Sequence, residues 1–292
     1  VNTLWGTGTS SSGYGQTSSL SPVTAGNTVT ATQWTNLLNK ISTIANHQGS
    51  SITPITNPSV GNTISAIAAI SSNISTIQAN KNNVSSYGAS TDTSINFTSP
   101  WSSSVTQTAR CTFAGGNEAR YFFNSGGKIQ VSFSLSGGTS DTKYNEWVDL
   151  LGTLCGVYEI KANTSGVLSG TGSPTVNLTT TGYYQLPDVD GTLMYQQYAD
   201  TSPYTANYVS LYSWTGADDA VDGLGNNGYT IDLRAVFTDA AADTAFDNPI
   251  DTNLDILDGT LTTTFKIVPP SLTYISNTWG SPTWSTITNT GS

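Results

Sequence analysis

The run from Ile129 to Leu135 constrains this chain more than any other stretch, because Ile129, Val131, Phe133 and Leu135 alternate with Gln130, Ser132 and Ser134. Side chains on a strand project to opposite faces with a period of two, so the pattern predicts a strand with one dry face and one wet face. A slip of one residue would put all four apolar side chains in water, which pins the register of any pairing. Immediately upstream stand Ala119-Arg120-Tyr121-Phe122-Phe123 and then Asn124-Ser125-Gly126-Gly127. Asn and Gly accept the positive φ of a tight reversal, so residues 119–135 read as a β-hairpin.

From Tyr87 onward, short runs of β-formers recur between turn signals. Strands are expected over residues 94–98, 108–113, 155–160, 176–178, 183–186, 191–199, 204–214, 228–238 and 259–268. Tyr144, Trp147, Val148, Leu151 and Leu154 share one stripe, which predicts a short helix over 143–153 packed on a sheet. Turn spacing of this kind suits an antiparallel sandwich or a jelly-roll-like body. No strict repeat of 20 to 50 residues points instead to a propeller or solenoid.

Two helices precede this mainly β body. Thr30 and Gln33 form a capping-box pattern, and Trp34, Leu37, Leu38, Ile41, Ile44 and Ala45 follow at helical spacing up to Gly49, which predicts a helix over 30–46. A second helix is expected over 62–81, with Ile64, Ile67, Ile70, Ile74 and Ile77 spaced as in the seam of a coiled coil or narrow bundle. Off the seam it is almost entirely Ser, Thr, Asn, Ala and Gln, so it needs a partner. Packing against the first helix and self-association both satisfy that need; Ile at most seam positions leans towards a trimer.

Both ends carry aromatic residues in polar chain. Residues 1–29, with Trp5 and Tyr14, read as an extended N-terminal arm, and residues 271–292, with Trp279 and Trp284, as an extended tail behind Pro269-Pro270. Arms of this kind suit donation to a neighbouring subunit, main-chain pairing supplying affinity and the aromatics supplying register. The expected organisation is therefore arm 1–29, helical attachment or oligomerisation module 30–86, β-rich body 87–270 and tail 271–292.

Composition narrows the function. Only 10% of the 292 residues are charged, against about 25% in an ordinary soluble domain, while 36% are hydrophobic with seven Trp and fourteen Tyr. The formal net charge is −10, and the nine Lys and Arg are scattered, which disfavours nucleic acid. No apolar run approaches the roughly 20 residues of a membrane span, and no basic-then-apolar segment opens the sequence. Cys111 and Cys155 lack the spacing of a disulfide scaffold or zinc site and read as buried free thiols.

A resemblance adds a source. The run Ala119-Arg120-Tyr121-Phe122-Phe123-Asn124-Ser125-Gly126-Gly127 resembles a segment of a family of virion structural proteins from contractile-tailed phages of marine cyanobacteria. Asn145-Glu146-Trp147-Val148-Asp149, Gly182-Tyr183-Tyr184-Gln185-Leu186, Ile231-Asp232-Leu233-Arg234-Ala235-Val236-Phe237 and the upstream segments at 13–16 and 30–38 are similar to the same family in the same order. The resemblance implies a particle component made in the host cytoplasm, without a shared enzymatic motif. A tail or baseplate fibre-like appendage is expected, with a capsid decoration or head fibre as the alternative. Its partners would be other copies of itself and other virion proteins; a host-glycan-binding adhesion module, with Tyr and Trp faces stacking on sugars, is a further alternative.

Catalytic chemistry has few carriers. Glu118, Glu146 and Glu159 are far apart, and no phosphate loop, nucleophile elbow or His-Glu pair appears. His47, the single histidine, has no second His or Cys nearby and reads as a solvent-facing helix-end residue. Asp218, Asp219 and Asp222 offer oxygen ligands suited to calcium, but their spacing matches no 12-residue calcium loop, so an acidic solvated loop is the simpler reading. Two carboxylates flanking a glycosidic bond would make a depolymerase, yet nothing singles out a pair. Neither an enzyme nor a cofactor is expected. The residues expected to make contacts between chains are Trp5, Tyr14, Ile64, Ile67, Ile74, Ile77, Trp279 and Trp284.

Overall fold

The computed structural model describes residues 1–17, 20–57, 66–174, 176–177, 180–188, 190–216, 228–241 and 256–292. In chain order these hold helices α1 (Asn2–Trp5), α2 (Ala31–Gln48) and α3 (Ile67–Ala79), strands β1 (Thr91–Phe97) and β2 (Ser104–Thr112), helix α4 (Gly116–Asn124), β3 (Lys128–Ser136) and helix α5 (Thr142–Asp149). Strands β4 (Val157–Ile160), β5 (Ser165–Val167), β6 (Val176–Asn177), β7 (Leu193–Tyr198), β8 (Tyr208–Thr215), β9 (Thr230–Thr238), β10 (Thr260–Val268) and β11 (Thr283–Gly291) follow. The fold is mainly β. One antiparallel sheet has the order β1-β10-β3-β4-β5 and the other β11-β2-β9-β8-β7-β6.

The alternation at 129–135 works as expected. Ile129, Val131, Phe133 and Leu135 are buried and stand opposite Ile267, Phe265, Thr263 and Leu261 of β10. Facing them from the other sheet are Val105, Ala109 and Cys111 of β2 and Ile231, Leu233, Ala235 and Phe237 of β9, all fully buried. Phe133 meets Phe237 edge-on at 5.4 Å and Tyr158 meets Tyr195 at 5.5 Å, so the two sheets share one core. Gln107 is buried inside it and fully used: its amide nitrogen donates to Ile95 O at 3.0 Å, and its oxygen accepts from Thr263 Oγ1.

The arm of the expected hairpin before β3 is instead helix α4. Its residues Ala119, Phe122 and Phe123 are buried and fall at i, i+3 and i+4, but this single helical repeat is too short to stand out against the β-propensity of Tyr121-Phe122-Phe123. Asn124-Ser125-Gly126-Gly127 ends the helix: Gly126, at φ +89°, donates to Phe123 O, and Gly127 donates to Phe122 O at 2.9 Å. This pair of bonds is the Schellman stop, whose left-handed glycine looks the same in sequence as a hairpin turn. A similar correction applies at 183–186, where Tyr183–Gln185 is a 3₁₀ turn rather than a strand.

Helix α2 carries its capping box, with Gln33 N donating to Thr30 Oγ1 at 3.2 Å and Thr30 N to Gln33 Oε1 at 2.9 Å. Gly49 closes it in the left-handed conformation. Helix α3 packs against α2 through Ile70 and Ile77, and Asn73 exchanges two hydrogen bonds with the backbone of Thr53.

Both chain ends depart from the expected free arms. Leu4, Trp5 and Tyr14 are buried in the core, and the Trp5 ring lies under Lys40 Nζ at 3.7 Å. Gln16 exchanges hydrogen bonds with the backbone of Ser276 at 2.8 and 2.9 Å, while Thr278 Oγ1 donates to Tyr14 O, so the two ends are fastened to each other. Past that junction β11 pairs with β2 as an edge strand. Its residues are mostly exposed Ser, Thr and Asn, so hydrophobic alternation does not announce it.

Candidate functional site

The outer faces of the two sheets differ in chemistry. On the five-stranded sheet, Ser94 pairs with Thr264 at 3.1 Å and Thr262 with Asn96 at 3.0 Å, a ladder of hydroxyl and amide groups. On the six-stranded sheet, β8 turns Val209 and Leu211 inward and leaves Tyr208, Tyr212 and Trp214 on the outer side, half-buried. Strand pairing then sets Tyr198 of β7 opposite Tyr208, with ring centroids 5.0 Å apart, and Arg234 of β9 opposite Tyr212.

Arg234 is the hub of this face. Its guanidinium lies 4.6 Å from the Tyr212 ring and 5.5 Å from the Trp214 ring, and it forms an ion pair with Asp190. Beside it, Arg110 of β2 makes a two-pronged bond to Asp232 of β9 at 2.7 and 2.6 Å. Hydrogen bonding to Asp232 raises the Arg110 pKa, which is part of why planar guanidinium groups suit such pairs. The result is a row of aromatic rings held by cations that already have carboxylate partners. Such a surface can stack against flat or C–H-rich groups and hydrogen-bond to hydroxyls.

The residues expected to meet partner chains take other places. Trp5, Tyr14 and Trp279 are buried within the chain, and Tyr14 Oη donates to Lys81 O while accepting from Gln48 Nε2, both at 2.8 Å. Trp284 packs on Phe265 at 5.6 Å and donates to Thr91 O, so it fastens β11 to β1. Burial of these rings in their own body replaces the donated-arm reading. Ile77 is buried, Ile74 is partly buried, and Ile67 is 71% exposed. Ile64, Asp218, Asp219 and Asp222 lie outside the described residues. Among the described residues no group of three His, Cys, Asp or Glu side chains gathers as a metal site.

His47 corrects another expectation. It is 1% exposed rather than solvent-facing; its Nε2 lies 3.0 Å from Ser125 O and its ring sits edge-on to Tyr14. A carbonyl only accepts, so Nε2 carries the proton. Burial lowers the pKa to about 4, which leaves the ring neutral near pH 7. Cys111 and Cys155 are free, buried thiols as expected, and burial pushes both pKa values up, Cys155 to about 12. Thiols in this state are poor nucleophiles.

The outer aromatic row escaped the sequence reading, although its signal is present. Tyr208, Tyr212 and Trp214 share one parity along a strand whose other parity opens with apolar Val209 and Leu211. Comparison with family models, curated proteins and solved structures finds no match. Among the described residues no helix is long and apolar enough to cross a membrane.

Proposed function

We propose that this chain is a structural component of a phage virion, a tail or baseplate fibre-like appendage in the first instance and a capsid decoration or head fibre in the second. The observation that supports a building role is the commitment of ionisable groups to construction. Lys128 and Lys161 both hold Glu159, at 2.8 and 2.5 Å, and Lys143 holds Asp239 at 2.6 Å in a nearly dry setting. Groups used this way stiffen a body and are not free to transfer protons. The two sheets read as a sandwich of jelly-roll type, the chain changing sheets between β1 and β2, β2 and β3, β5 and β6, β9 and β10, and β10 and β11. A homotrimer built on the helical module is part of the proposal. The test is mass spectrometry of purified particles together with antibody labelling in electron micrographs. Label on the tail or head at regular positions supports it, and absence of the chain from washed particles overturns it.

A second reading, adhesion to host surface glycan, draws support from the aromatic outer face of the six-stranded sheet. It is compatible with the first, since an appendage exposed on a particle is where such a face would act. Retention of the isolated protein on host envelope polysaccharide, and its loss on removing outer-face rings, tests it.

A further inference from the structure

We infer that the outer face of the six-stranded sheet binds a neutral, unbranched polysaccharide laid along β8; the inference rests on the adhesion reading above and gives it a ligand class. Three features of the face select that class. The first is length. Outward residues on a strand recur at about 6.6 Å, so the row from Tyr208 to Trp214 runs for about 20 Å. That is a track for several consecutive sugar rings, where a pocket for one would need walls.

The second is surface chemistry. The C–H faces of pyranose rings are apolar and weakly electropositive, and they pack on the negative faces of aromatic rings. Tyr198 and Tyr208 supply one end of the track, and Tyr212 and Trp214 the other. Arg234 contacts both rings at the second end, so their positions are fixed before any ligand arrives and little side-chain freedom is lost on binding. Between the two ends Ser210 is buried and accepts from Gln196 Nε2 at 3.1 Å, a bond that ties β7 to β8 beneath the track.

The third is charge. Each arginine of the face already has a carboxylate, Asp232 for Arg110 and Asp190 for Arg234. Locally the face is therefore close to neutral, and the whole chain carries −10. An acidic polysaccharide would meet a repelling field and no spare cation here. The side chains of Asp190 and Arg110 remain 48% and 41% exposed, which leaves lone pairs and N–H groups for sugar hydroxyls.

The test is an array of unbranched di- and hexasaccharides of glucose, mannose and galactose, printed beside uronate hexasaccharides and probed with the full chain. At least one neutral hexasaccharide is expected to bind tenfold or more tightly than its disaccharide. Trp214→Ala should weaken that binding at least tenfold, and Thr264→Ala, on the outer face of the five-stranded sheet, should leave it unchanged. Tyr208→Ala, at the far end of the track, provides the same readout if Trp214→Ala fails to fold. Binding of uronates alone through this face would overturn the neutral assignment and keep the adhesion reading. Equal affinity for disaccharide and hexasaccharide, or insensitivity to both ring deletions, overturns the track. Silence across the whole array overturns track and adhesion reading together.

Discussion

Arg120 and Ser10 are 110 residues apart in sequence, yet the guanidinium Nη1 donates to the Ser10 carbonyl at 3.1 Å. Arg120 also takes Ser12 O and Thr7 O, and Asn124 and Tyr184 add bonds to the same Ser10 oxygen. α4 is thus a clamp whose donors converge on the carbonyls of one N-terminal loop.

Arg120→Lys keeps the charge and loses the fork, so Thr7 O or Ser12 O loses its donor while Ser10 O keeps Asn124 and Tyr184. A loss of about 2–3 kcal/mol is expected from urea unfolding. Amide exchange should show faster opening confined to residues 1–17. Uniform loss of protection across both sheets would refute the clamp.

His47 gives acid sensitivity a defined window. Its folded pKa of about 4 lies below the ordinary 6.5, so the unfolded chain takes up a proton first as pH falls. Stability is therefore full above pH 6.5 and declines towards pH 4, by at most about 1.4 kcal/mol per unit and about 3 kcal/mol in all. It is the only histidine in the chain, so His47→Gln should flatten the profile between pH 5 and 6.5. Melting temperatures across that range would settle it.

Ile67 and Ile77 separate packing from association. Ile77 is 1% exposed and Ile67 71% exposed on the same helix, α3. Ile77→Ala should cost about 2–4 kcal/mol through the cavity it leaves. Ile67→Ser should leave stability nearly unchanged and, if the helical module is a trimer seam, lower the mass seen by light scattering. An unchanged mass for Ile67→Ser would count against a seam at this position.

Removing residues 281–292 deletes β11 and uncovers the main-chain edge of β2. An exposed nine-residue strand with a dry inner face is a template for pairing with other chains. The shortened protein is expected in the void volume on size exclusion; a stable, soluble protein in the same oligomeric state as the intact chain would show that β11 protects nothing.

Much of the scaffold was legible because local chemistry and tertiary role agree. Thr30 and Gln33 announce α2, and the parity of Ile129 to Leu135 announces β3 and its face. α4 was misread: in nine residues its stripe is only Ala119, Phe122 and Phe123, the aromatic run favours a strand, and its Gly126 stop resembles a hairpin turn. β11 was missed for the opposite reason, since an edge strand so exposed has no apolar parity to read. The candidate site was half legible. The parity of Tyr212 and Trp214 is written locally, whereas the pairing of Arg234 with Asp190, 44 residues away, follows from the fold alone.

β10 sits between β1 and β3, although both of its neighbours are made long before it. While the chain is still emerging from the ribosome, β1 and β3 have no partner along the edges that β10 will fill, and their apolar sides stay open. Closure of that sheet waits until residues 260–268 have left the exit tunnel, so its folding is dominated by distant pairings. Yield in a heterologous host should then depend on how well chaperones shield the nascent strands during that interval.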